Sequence, residues 1–326
     1  MEKMKVALIG YGYWGINLAK TIVANDRLEL YSIFDLSLDR LEEARKLYAF
    51  KEFRNLKDLL GDENIEAVFI ATPPQTHFSV GLQALNAQKH TFIEKPYTTN
   101  LSEAYQLLEI ADKNNLITMA DHVFVYSEPV KYLKKNLSKF GDIIYINARR
   151  INLGLFQSAV DVLWDLAVHD LSIIEYLVGL DIKRASAFIK KYGTFPNNAF
   201  GDVNLELANG VLVGINVSWL SPVKIREMII GGTNLTALYD DTKNDKIRLY
   251  NAGVILNEEF GKAKLYEKMV QYRYGEEETP KLLNKMSLSN SVDYFVSCIM
   301  DKQKPRENHQ GIISVIQALE LISKIG

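Results

Sequence analysis

An apolar run that ends in Gly-x-Gly-x-x-Gly can fold in few ways. Here the run KVALIG leads directly into GYGYWG, Gly10 to Gly15. Such a strand must end, turn on Gly10, let backbone amides approach an anion at Gly12, and start a helix that packs closely because Gly15 has no side chain. Tyr13 and Trp14 ride on the same loop. The anion this loop suits is the pyrophosphate of a dinucleotide, and Asp35, which closes the next apolar run, extends the pattern. A carboxylate there accepts hydrogen bonds from the adenosine ribose and repels a 2′-phosphate, favouring NAD over NADP. Ser37 and Arg40 lie close enough to assist a phosphate, and Asp35 could instead cap the next helix, so both readings stay open.

The rest of the first 120 or so residues repeats the same alternation. Apolar runs LELYSIFD, EAVFIATP, KHTFIEKP and LITMADH alternate with amphipathic stretches such as Leu38 to Tyr48, where Leu41, Ala44 and Leu47 fall one turn apart, and Thr76 to Ala87. Repeated βα units build a parallel sheet, here an α/β dinucleotide-binding domain of the Rossmann type over residues 1–122. From Asp142 the texture changes to consecutive period-2 runs, DIIYINARRI, RASAFIKKYG and VNLELANGVLVGINVSWL, with Asn209-Gly210 as a hairpin turn, then KIREMIIGG, LTALYDD and KIRLYNAG. Strands joined by short turns predict an α+β domain with a largely antiparallel sheet over residues 123–288. Helical spacing returns in residues 289–326, at Val292, Phe295, Val296 and Ile299 and again at Ile312, Ile316, Leu319 and Ile322, predicting helices that pack back on the body.

Three further stretches carry candidate chemistry. ATPPQTH ends the third strand at its carboxyl end, where ligands of open α/β sheets collect, so Thr72, Pro73 and His77 are cofactor-side candidates; a strand terminator with Thr76 as a helix cap explains the stretch equally well. TFIEKP closes the fourth strand at the same edge. Lys95 there faces the expected nicotinamide, whose positive charge in the oxidised form lowers an ammonium pKa and suits proton exchange with an alcohol or carbonyl. Pro96 fixes the backbone beside it, and Glu94, a cofactor-side candidate, could moderate the shift or orient the surroundings of the nicotinamide ring. In VLWDLAVHDLSIIEYLVG, Val162 to Gly179, a helix buries Leu163, Ala167, Leu171, Ile174 and Val178 and sets Asp165 and His169 about 40° apart on another face. A carboxylate that orients an imidazole serves a dehydrogenase, although the pair could be purely structural.

Composition excludes other classes. The 326 residues hold 38 Lys and Arg against 40 Asp and Glu with no long run of one sign, which leaves no footprint for nucleic acid or an anionic membrane. The single cysteine, Cys298, forbids an internal disulfide and fits a reducing compartment; no Cys- or His-rich metal site is expected. No stretch approaches the length of a membrane helix, and the N-terminal apolar run is short for a signal peptide, so the expected location is the cytoplasm.

Together, GYGYWG, IATPPQTH, FIEKP and the Asp165/His169 spacing resemble the glucose-fructose oxidoreductase, inositol dehydrogenase and MocA group of nicotinamide enzymes, over essentially the whole chain. The resemblance implies that Lys95, His169 and Asp165 are the catalytic residues at the nicotinamide, with His122 bordering it or serving the domain junction. Many members carry a glycine cluster before the aspartate; DVLWDLAVHD lacks it and looks like the branch acting on nucleotide-linked sugars, as do ARRINLG, VSWLSPVKIR and YRYGEEETPKL. The implied activity is hydride transfer between NAD and a sugar hydroxyl or ketone, such as C3 of a UDP-N-acetylhexosamine or its uronate, with a free polyol or ketosugar as the competing substrate and a non-catalytic NAD sensor as the competing class. The resemblance also implies substrate on one side of an open second sheet and subunit contacts on the other, hence a homodimer or homotetramer. Arg149 or Arg150, of which strand alternation lets only one face the substrate, would grip a diphosphate or carboxylate near Asn152, unless the two form a solvated edge pair. His90 and His309 read as surface residues, and Trp164, Trp219 and Cys298 as packing residues.

Overall fold

A computed structural model describes residues 3–154, 156–256, 270–283 and 285–326. The chain divides into two compact units, Met1–Ser127 with Lys285–Glu320, and Glu128–Asn284 with Leu321–Gly326.

In the first unit β1 (Met4–Ile9), α1 (Gly15–Val23), β2 (Leu28–Phe34), α2 (Leu38–Arg45), α3 (Leu56–Leu60), β3 (Ala67–Ile70), α4 (Pro74–Asn86), β4 (His90–Ile93), α5 (Leu101–Lys113) and β5 (Thr118–Ala120) follow one another. The strands form one parallel sheet in the order β2-β1-β3-β4-β5. Helices on both faces explain why β1 and β3 read as unbroken apolar runs rather than alternating ones. The strand order reverses between β1 and β3, so the crevice for a ligand opens beyond their carboxyl ends. Side chains start the helices where the sequence changes character: Ser37 accepts the Arg40 N–H, Asn55 the Asp58 N–H, and Asn100 the Glu103 N–H. Helix α2 stops at Arg45, and Leu47, which spacing placed on its buried stripe, lies beyond the helix and exposed.

The second unit contains α6 (Glu128–Lys135), β6 (Ile143–Leu153), α7 (Val168–Val178), β7 (Ile182–Lys191), β8 (Asn198–Leu207), β9 (Leu212–Ser218), β10 (Leu220–Gly232), β11 (Thr236–Asp240), β12 (Ile247–Tyr250), β13 (Gly253–Leu256), β14 (Val270–Arg273) and β15 (Glu277–Glu278). Its large sheet runs β15-β12-β11-β10-β6-β9-β8-β7; only the β6–β9 pair is parallel. Strands β8 and β9 are joined at Asn209-Gly210, where Gly210 takes φ +87° and Leu207 N–H bonds to Val211 O. Along β6, Ile146, Ala148 and Arg150 point to the covered face, and Asn147 and Arg149 to the opposite one.

Two helices complete the chain, α8 (Ser287–Met300) and α9 (Arg306–Ile325). Within the first unit α8 lies on the sheet, where Phe295 meets Phe69 and Phe92 at ring-centroid distances of 5.6 and 5.4 Å.

Candidate functional site

The glycine loop is shaped by backbone contacts. Gly10 has φ +95°, and a Cβ there would lie 2.6 Å from Ala71 O, because β1 and β3 converge at their carboxyl ends. A Cβ on Gly15 would sit 2.1 Å from Gly10 O, so the loop and α1 close on each other only without it. At Gly12 the nearest atom is the Arg40 guanidinium, 3.7 Å away. The first and third glycines are therefore demanded by the chain itself, while the second leaves open space beside the loop, as the close approach of a pyrophosphate requires. Tyr13 projects from the loop with 82% of its surface exposed, and Trp14 packs against the core.

Asp35 is held by three donors: the Tyr11 N–H at 2.7 Å, the Ser37 N–H at 2.8 Å and the Arg40 guanidinium at 3.5 Å. Its carboxylate is thereby fixed at the end of β2 with lone pairs left for hydroxyl donors, and these residues fit a dinucleotide. Arg40 stands at both the loop and the carboxylate.

At the ends of β3 and β4, His77 is fully buried, with Nδ1 2.7 Å from Pro96 O and Nε2 2.8 Å from Thr72 O. Burial keeps its pKa below the ordinary value, and the neutral ring donates to one of the two carbonyls. His77, expected on the cofactor side, is here buried and braces the Thr72–Pro73 loop against the loop carrying Lys95. Thr76 bonds to Thr72 Oγ1 and Pro73 O within the first turn of α4.

Lys95 is half-buried, follows Glu94 out of β4 and is joined to Pro96 by a cis peptide bond. Its positive charge acts on His77, Glu94, Asp121 and His122, which places the ammonium among four titratable groups at one sheet edge. Two of them form a pair. The Glu94 and Asp121 carboxyls are buried beside each other, and Glu94 Oε1 and Asp121 Oδ2 have no other hydrogen-bond partner, so a proton shared between them is the arrangement that avoids two adjacent buried charges. Burial first, and then the Asp121 charge, raise the Glu94 pKa well above the carboxylate range. Burial also pushes Asp121 up, to about 6, against the pull of the Ser291 hydroxyl, which donates to it at 2.8 Å, and of Glu94, Trp14 and Lys95. His122 is buried with neither ring nitrogen hydrogen-bonded, and burial reinforced by Lys95 lowers its pKa to about 4. Asp121 escaped the reading of the sequence; its signal was a carboxylate at the end of β5, level with Glu94 at the end of β4.

In the second unit the helix around His169 opens with a π turn, Leu163–Ala167, and continues as α7. Asp161 caps it by accepting the Leu163 and Trp164 N–H groups. Asp165 accepts the Trp219 indole N–H at 3.0 Å, and His169, half-buried, starts the α-helical part. Trp219 is buried beside Phe156, and Gly154 is needed beneath it, since a Cβ there would come within 2.5 Å of the indole. Trp219 thus packs as expected and also orients the aspartate. Leu177, rather than Val178, completes the buried stripe of α7.

The two arginines expected near the substrate are both ion-paired. Arg150 is buried and spent on Asp170 of α7, with Nη2 to Oδ1 at 2.8 Å and Nε to both carboxylate oxygens at 3.1 and 3.2 Å. Arg149, on the opposite face, pairs with Glu227 of β10 at 3.0 Å. Asn152 is half-buried, and its Oδ1 accepts no hydrogen bond. His90 and His309 are half-buried rather than exposed. His90 accepts the Ile117 N–H, and burial lowers its pKa to about 4, while His309 lies 2.9 Å from Thr118 O. Among the described residues no cluster of three His, Cys, Asp or Glu is arranged to hold a metal, and no helix is long and apolar enough to cross a membrane.

A family model described as "Oxidoreductase family, NAD-binding Rossmann fold" matches residues 4–122, and one described as "GFO/IDH/MocA C-terminal domain" matches residues 153–237. The chain belongs to the GFO/IDH/MocA oxidoreductase family. Among curated members it is 31% identical over 182 residues to the UDP-N-acetylglucosamine 3-dehydrogenase of Acidithiobacillus ferrooxidans, 56% of each protein. It is 26% identical over 193 residues to the myo-inositol 2-dehydrogenase of Thermotoga maritima, 56% of this chain and 58% of that one. The match thus spans a little over half the length of these GFO/IDH/MocA relatives. The solved structure of the Acidithiobacillus enzyme shares the fold over 100% of this chain and 98% of its own, with a TM-score of 0.83 at 23% identity.

Proposed function

We propose that this protein is an NAD-dependent oxidoreductase that transfers a hydride between the nicotinamide and a secondary hydroxyl or ketone of a sugar, acting on a nucleotide-linked sugar in the cytoplasm as a homo-oligomer. The observation that carries this reading is the first unit's sheet edge. There a glycine loop without room for a Cβ at Gly10 and Gly15, a fixed Asp35 and a half-buried Lys95 stand at the carboxyl ends of successive strands.

A bound NAD supplies the hydride acceptor. Asp35 accepts ribose hydroxyls with an oxygen already oriented by the Tyr11 amide, which supports NAD over NADP. Lys95 exchanges the proton of the reacting hydroxyl, and the buried Glu94–Asp121 pair lies beside it as a counter-charge. In the second unit His169 is the corresponding proton-exchanging candidate, with Asp165 anchored by Trp219. Support for the sugar comes from the UDP-N-acetylglucosamine 3-dehydrogenase at 31% identity; the inositol dehydrogenase at 26% favours a free polyol as the second reading.

Single-turnover absorbance with excess enzyme and NAD tests both, using UDP-linked N-acetylhexosamines and their uronates beside free sugars and inositols. A burst of NADH with nucleotide-linked sugars alone supports the first reading, and a burst with inositols alone replaces it with the second. Silence with every substrate, with NADH still bound, leaves a sensor. Lys95→Met should abolish the burst while NAD affinity stays within a few-fold; loss of NAD binding would instead make Lys95 a cofactor ligand.

A further inference from the structure

On the covered face of the second unit's sheet, β6 and β10 are antiparallel neighbours whose register sets Arg150 directly opposite Arg226. Like charges in that position repel unless each has its own counter-ion. Arg150 has one, the buried Asp170. Arg226 does not: its only carboxylate contact among the described residues is Asp241 at 3.9 Å, and that group is already held by Lys246 at 2.7 Å. The Arg226 Nε–H is buried with no acceptor. Among the described residues the ion pairs of Arg150, Arg226 and Lys246 draw on two carboxylates, Asp170 and Asp241. The neighbouring Arg149–Glu227 pair lies on the opposite face and is neutral in itself. About a third of the Arg226 side-chain surface, 32%, is exposed.

We propose that Arg226 binds a singly charged oxyanion group, a carboxylate or a phosphoryl oxygen pair, of a small-molecule ligand on this face. The guanidinium fork matches two oxygens, and the ligand adds a second counter-charge beside the Asp241 that Arg226 shares with Lys246. The buried Arg150–Asp170 pair backs the site by keeping Arg226 from folding inward. This inference deepens the proposed function, on which only the identity of the anion with the substrate's charged group rests.

The test follows the Arg226 Nε–H resonance of the full chain labelled with 15N, assigned by its absence in Arg226→Gln, while inorganic phosphate or acetate replaces chloride at constant ionic strength and without NAD. A saturable shift is expected, stronger with phosphate if the ligand group is phosphoryl and with acetate if it is a carboxylate. Asp241→Asn removes the competing carboxylate and should tighten anion binding several-fold, a direction that a merely damaged protein would not show. In the Arg226→Gln protein, anion-dependent shifts of the β10 backbone amides should need about tenfold more anion or vanish. A linear, non-saturating shift, or an Asp241→Asn titration no tighter than wild type, overturns the proposal. Because no turnover is measured, failure of the proposed activity leaves this result standing, and the reverse.

Discussion

Replacing Glu94 with glutamine probes the shared proton in the first unit. In the wild-type fold Glu94 holds a proton well beyond the usual carboxylate range and Asp121 up to about 6, because both are buried together. A carboxyl whose folded pKa is raised contributes stability that is complete at low pH and is lost as pH climbs through the folded value. Each extra proton bound by the folded state therefore costs roughly 1.4 kcal/mol of stability per pH unit, so from pH 4, where the unfolded carboxyl titrates, to pH 6 the Asp121 shift alone amounts to roughly 3 kcal/mol. The buried and half-buried histidines act the other way. With folded pKa values below the unfolded one, His77, His90, His122 and His309 contribute stability that is present above about 6.5 and fades as pH falls. The difference between Glu94→Gln and wild type cancels the histidines. The glutamine amide keeps the hydrogen bond to Asp121 without a proton to lose, so the mutant should gain on wild type as pH rises from 5 to 7, by roughly 1 to 3 kcal/mol. Urea unfolding followed by far-UV circular dichroism at several pH values measures this. Parallel stability–pH curves for the two proteins would refute the shared proton.

Asp170→Asn leaves the buried Arg150 guanidinium without its counter-charge and should destabilise by about 3 kcal/mol or more, while the double change Arg150→Met/Asp170→Leu recovers most of the loss; equal losses in chemical denaturation would refute the pairing. Gly15→Ala forces a Cβ against Gly10 O and should reduce both stability and NAD binding, whereas Gly12→Ala meets only the Arg40 side chain and should spare the melting temperature but weaken dinucleotide affinity by calorimetry. Asp35→Ala leaves Arg40 at the loop without its carboxylate and should shift the NAD-to-NADP affinity ratio toward NADP; an unchanged ratio in fluorescence titration would remove Asp35 from the ribose position.

The parts of this protein that the sequence determined by itself are those governed by neighbours along the chain. The glycine loop, the caps at Ser37 and Asn100 and the turn at Asn209-Gly210 arise from a few consecutive residues whose conformational needs are visible in their identities. Strand alternation likewise put Arg149 and Arg150 on opposite faces. What alternation could not say is which face would be covered, or by what. Arg150 met Asp170 because α7 packs over β6, and it met Arg226 because β10 pairs with β6 in one particular register. The carboxyl pair of Glu94 and Asp121 exists because β4 and β5 are adjacent parallel strands that end level, far apart in sequence. His90 and His309, read as surface residues, are half-buried for the same reason, since burial and hydrogen-bond partners are set by elements that arrive from elsewhere in the chain. Local residue chemistry decides where the backbone can bend and which face a side chain takes. The charge state of a buried group depends on long-range packing, which only the tertiary structure contains.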